Sequence, residues 1–106
     1  MLQVNINDLT FECIIGILPD ERVSKQKVII DISFEYFYDT TTSDFVDYSL
    51  VASLVENTMI EKKYKLIEDA IVDIRQKIKD KFDIKNLKLK ITKPNILPNC
   101  IVSVEE

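Results

Sequence analysis

The chain has 106 residues, 46% of them hydrophobic and 30% charged, with a net charge of −4; that is the balance of a soluble globular protein with one core. It contains no histidine and one glycine, which excludes His-based acid–base and nucleophile pairs, nearly every catalytic zinc site and any glycine-rich phosphate cradle. Chemistry therefore falls to Lys, Glu, Asp, Tyr or water.

In chain order, Gln3 to Leu18 reads as a long strand with one defect. Val4 and Ile6 share a face, whereas Leu9, Phe11, Cys13, Ile15 and Ile17 have the opposite parity. The phase slips at Asn7-Asp8, which predicts a bulge. This stretch is broken by Glu12 and is too short for a membrane span, and without a basic region followed by a long apolar run the N-terminus is not expected to be a signal peptide. Pro19-Asp20-Glu21-Arg22 begins a connection made of turn-forming residues. Lys27 to Asp39 is a second strand. Val28, Ile30, Ile32, Phe34, Tyr36 and Tyr38 point one way, and Asp31, Ser33, Glu35 and Asp39 the other. Two long strands joined by a loop make an antiparallel pair.

After the turn-rich break Thr40 to Asp44, Ser49 is placed to cap a helix over about residues 50–61, with Leu50, Val51, Leu54 and Val55 on its buried stripe. A second helix spans about residues 66–81. Ile67, Ala70, Ile71, Ile74 and Ile78 line one face of it, and Glu68 flanks that stripe in the first turn.

The next strand ends in an anomaly. Leu87, Leu89 and Ile91 form its apolar face, Lys88, Lys90 and Thr92 the polar one, and Lys93 continues the apolar series before Pro94 stops the pairing. A lysine there either snorkels to water or is held partly desolvated, a state in which lysines exchange protons near neutral pH. Ile101 to Glu105 forms the last strand.

The order ββααββ predicts an α+β fold, one domain over residues 1–106, with two helices on one face of a four-stranded antiparallel sheet. Ile14, Ile29, Phe37 and Ile101 fall on the outer face, and such spare apolar positions suit completion by oligomerisation. Residues 1–61 carry three basic and eleven acidic groups, residues 75–93 eight basic and two acidic. That asymmetry suits subunits meeting head to tail. The basic tract lacks interleaved aromatics, so nucleic acid is not an expected partner. Cys13 and Cys100 are isolated, which fits a reducing cytoplasm.

Four segments together resemble one family. They are Ile15-Gly16-Ile17-Leu18-Pro19-Asp20-Glu21-Arg22 followed by Gln26, then Asp47-Tyr48-Ser49, Tyr64-Lys65-Leu66-Ile67-Glu68, and Ile91-Thr92-Lys93-Pro94. In order and approximate spacing they resemble dihydroneopterin aldolase of bacterial folate biosynthesis, and the likeness spans the whole chain. The resemblance implies the tunnelling fold (T-fold), with four subunits joined in a barrel, two rings stacked as an octamer, and sites between neighbours. It implies a small-molecule pterin substrate and neither metal nor cofactor. By the same resemblance Glu68 anchors the pterin, with Ile67 adding backbone contacts. Tyr48 reaches into a neighbour's site, Glu21 lies near the substrate side chain, and Lys93 transfers protons. An epimerase on the same scaffold and a non-catalytic pterin-binding module are the alternatives. The Ile-Gly-Ile-Leu run departs from the family's common pattern of a second glycine and a histidine after the first glycine.

Overall fold

The computed structural model describes residues 1–106. Its elements are β1 (Leu2–Cys13), α1 (Pro19–Val23), β2 (Gln26–Tyr36), α2 (Tyr48–Lys62), α3 (Ile67–Lys81), β3 (Lys85–Lys93) and β4 (Val102–Glu105). The strands form one antiparallel sheet in the order β1-β2-β3-β4, so β1 and β4 are its edges. Helices α2 and α3 cover one face, α2 against β1 and α3 against β3 and β4. No helix is long and apolar enough to cross a membrane.

The bulge lies where the parity slip places it. Ile6 pairs with Ile32 and Leu9 with Ile30, which leaves one extra residue in β1. Asp8 takes the left-handed conformation there (φ 59°), and its amide donates to Asp31 Oδ1 at 2.9 Å. Short polar side chains tolerate that conformation best. The bulge turns Leu9 and Phe11 onto the face already occupied by Val4 and Ile6, so all four pack against the core.

Three expectations need correction. The first strand stops at Cys13, not Leu18, because Gly16 adopts φ 127° and turns the chain; Ile17 is consequently exposed. Pro19 to Val23 is a short helix rather than a turn, with Pro at N1 and Asp20 and Glu21 in the first turn. Helix α2 begins at Tyr48 and is capped by Asp47, not Ser49. The Asp47 carboxylate accepts from the Ser49 amide at 2.9 Å and from Ser49 Oγ at 2.6 Å. A carboxylate beside the free N–H groups of a helix start outcompetes a hydroxyl two residues further on. One consequence is that Leu50 is exposed while Val51, Val55 and Met59 are buried.

The core is a single cluster of 17 apolar residues. It joins Val28, Ile30, Ile32 and Phe34 of β2 and Leu87, Leu89 and Ile91 of β3 to Val51, Val55 and Met59 of α2 and to Ile67, Ala70, Ile71, Ile74 and Ile78 of α3. Every residue of the expected α3 stripe is in it.

Candidate active site

Lys93 ends β3 on its core-facing side, and it is buried, with 7% of its surface exposed. Its ammonium does not snorkel outward. Nζ donates to Glu21 Oε2 at 2.8 Å. Glu21 is equally enclosed at 8% exposure, and these two form the one buried ion pair of the chain. Glu21 was expected on a loop; helix α1 is what carries it inward. As the third residue of that helix it reaches back to the Leu18 amide through Oε1 (3.2 Å), half of a capping box. Its other oxygen also accepts from Gln26 Nε2 at 2.8 Å, and Gln26 Nε2 donates to the Ile15 carbonyl at 2.7 Å.

Burial pushes the Glu21 carboxyl up, but donors from Lys93, Gln26 and the Leu18 amide outweigh it and hold the group below its ordinary value. The carboxylate is therefore ionised at neutral pH. Beside it, burial pushes the Cys13 thiol up to about 11, against a smaller downward pull from Lys93, so Cys13 is inert packing rather than a nucleophile.

Gly16 makes this arrangement possible. A Cβ built there would lie 2.1–2.3 Å from the Glu21 carboxylate atoms. The backbone of the loop is thus in direct contact with the carboxylate, an approach open only to glycine.

The same loop is tied to the connection between α2 and α3. The Gly16 amide donates to the Tyr64 carbonyl at 3.0 Å. Arg22 donates to the carbonyls of Gly16 (3.0 Å), Tyr64 (3.3 Å) and Lys63 (3.0 Å). The Tyr64 phenol donates to Asp73 on α3, and burial together with that carboxylate pushes the phenol up. Ile67 and Glu68 follow as the first two residues of α3, Ile67 buried and Glu68 exposed. Tyr48, the first residue of α2, is 65% exposed.

Of the residues singled out, Glu21 and Lys93 are thus in contact. Ile67 and Glu68 are joined to them through the Gly16–Tyr64 link, and Tyr48 stands apart on the surface. The parts that Gly16 and Arg22 play were not foreseen, although both lie inside the first recognised motif. The N-terminal proline followed by a glutamate two residues later was a usable signal for α1. A depression of the surface borders the site at Gln26 and Asn95.

Comparison with known proteins follows the same lines. A family model for dihydroneopterin aldolase (FolB) matches residues 4–105. A putative dihydroneopterin aldolase from Vibrio cholerae superposes with a TM-score of 0.87 at 24% identity, over 100% of this chain and 97% of that one. The Escherichia coli dihydroneopterin aldolase, solved in complex with neopterin, gives 0.88 at 20% identity, over 100% and 99%. A Burkholderia dihydroneopterin aldolase bound to guanine gives 0.78 at 18% identity, over 99% and 88%. No curated protein sequence matches the chain.

Proposed function

The chain belongs to the dihydroneopterin aldolase family, an aldehyde-lyase family, and on that premise we propose how its residues divide the work. The family reaction splits 7,8-dihydroneopterin into 6-hydroxymethyl-7,8-dihydropterin and glycolaldehyde. It is a retro-aldol cleavage in which the substrate's own C6=N5 imine takes up the electrons. The protein's task is to bind, orient and move protons.

Glu68 anchors the ring. An amino-pyrimidinone edge presents two parallel N–H donors, which an ionised carboxylate accepts together. It stands in the first turn of α3, where a carboxylate suits the positive end of the helix dipole, and Ile67 adds backbone contacts. At the other end the Lys93–Glu21 pair handles protons. Lys93 gives a proton to N5, and the amine so produced takes the proton of the 2′-hydroxyl as the C1′–C2′ bond breaks. The Lys93 ammonium, now carrying the hydroxyl proton, protonates the enamine carbon C1′, and N5 returns its proton to the amine, which restores the charges. Glu21 holds the ammonium in place and accepts from the diol, and a neighbour's Tyr48 closes the site.

The observation that carries this reading is the buried 2.8 Å contact between Lys93 and Glu21, two residues 72 positions apart that the family resemblance had assigned to one site. The exposed Tyr48 and the two open sheet edges support a homo-oligomer, a four-subunit ring stacked as an octamer, with residues 1–106 as one domain per subunit, and the two free cysteines fit a reducing cytoplasm. The test is incubation of the purified protein with 7,8-dihydroneopterin and identification of the products. Glycolaldehyde with 6-hydroxymethyl-7,8-dihydropterin is the expected pair. Only an epimerised dihydropterin, or no turnover, would overturn the reading.

A further inference from the structure

We infer that Arg22 is a positioning residue that fixes the spacing between the Glu21–Lys93 pair and the Glu68 anchor. The inference rests on the roles proposed above for those residues. Arg22 directly follows Glu21 in α1, and the two side chains work in different directions. Glu21 turns in to Lys93, and Arg22 reaches across to the end of α2. Its guanidinium donates to three main-chain carbonyls drawn from two segments: Gly16 after β1, and Lys63 and Tyr64 after α2. Lys63 is in the left-handed conformation that ends α2, so its carbonyl belongs to the negative end of that helix, where a cation is favoured.

Only a planar fork spans three such acceptors; an ammonium is a point donor. The Gly16 amide to the Tyr64 carbonyl forms a second, parallel link. From Tyr64 the chain runs four residues to Glu68. The guanidinium thus clamps the loop that packs on the Glu21 carboxylate to the loop that launches the pterin anchor. A substrate that bridges both ends depends on that distance, whereas a ligand held only by Glu68 does not.

The test compares wild type with Arg22→Met and Arg22→Lys. Guanine serves as the probe of the Glu68 end alone, because it shares the amino-pyrimidinone edge and lacks the diol side chain. Arg22→Met is expected to hold guanine within about twofold of wild type and to lose about 10- to 100-fold in kcat/KM for 7,8-dihydroneopterin. The shape of the pH profile should not change, since Glu21 and Lys93 keep each other. Arg22→Lys should recover part of the loss. Hydrogen exchange at the Gly16 amide should quicken in Arg22→Met. Unchanged kcat/KM overturns the inference, and so does an equal loss of both ligands, which would make Arg22 a support of α3 rather than a spacer. If Arg22→Met does not fold, Arg22→Lys carries the same comparison with a smaller loss. A wild type without turnover overturns the aldolase reading instead; the clamp then stands or falls on the exchange of the Gly16 amide.

Discussion

Lys93 shows how far one side chain's parity reaches. Its place in the series Leu87, Leu89, Ile91 put the side chain on the core-facing side of a strand end and left open whether the ammonium snorkels to water or stays enclosed; the structure buries it. Its partner was not legible, because no local pattern links a strand end to a residue 72 positions earlier. Removing one member of a buried pair strands the other. Lys93→Met should therefore lower folding stability by about 3 kcal/mol and turnover by about 100-fold or more. Lys93→Met with Glu21→Gln should recover part of the stability but none of the activity; urea melts and steady-state kinetics on the four proteins decide it. The acid response follows from Glu21. Its folded value lies below the ordinary 4.5, so its stabilisation is complete above about pH 4.5 and fades as pH falls through the depressed value. The stability gap between wild type and Glu21→Gln should accordingly shrink on acidification in melts from pH 7 to 3. Gly16→Ala sets a Cβ against that carboxylate at a φ of 127°, and should lose about 2 kcal/mol and most activity together.

Elements were legible in proportion to their length and periodicity. Helix α3 repeats its apolar stripe over four turns, and all five expected positions are buried. The β1 bulge was legible because a one-residue slip reverses every side chain after it. Helix α1 was missed because five residues are too few to show a period, and Pro-Asp-Glu-Arg is also a composition common in turns. That miss left the route of Glu21 to Lys93 unseen, since α1 is what turns Glu21 inward. The cap of α2 shifted by two residues for a different reason: Asp47 and Ser49 are both good caps, and only the folded geometry shows which one meets the free amides. The stripe of α3 gives a direct contrast. Ile78 is fully buried and Val72 is 66% exposed. Ile78→Ala should cost about 3 kcal/mol and Val72→Ala less than about 0.5 kcal/mol, as read from chemical denaturation midpoints.

The whole molecule is more extended than its length requires. Its radius of gyration is 14.9 Å, against about 13 Å for a compact chain of this size, and only 22 of 106 residues are buried. Phe37 and Ile101, two of the spare apolar positions expected on the outer face, are 73% and 72% exposed, whereas Ile14 and Ile29 are half-buried. Two unpaired edge strands add open hydrogen-bonding groups at both sides of the sheet. Such a surface suits a chain completed by its own copies through head-to-tail contacts that close into a ring. Tyr48 supplies the decisive experiment, because its surface position leaves it free to serve a neighbour. Tyr48→Ala and Lys93→Ala should each be nearly inactive alone. In a mixed oligomer from coexpression in equal amounts, a site is whole when a chain with native Lys93 sits beside one with native Tyr48. Random mixing makes about one quarter of the sites whole, so about a quarter of wild-type activity should return. If Tyr48 served its own chain, every site would lack one of the two groups and mixing would restore nothing. The returning fraction thus tests the neighbour's contribution apart from the stability of either variant.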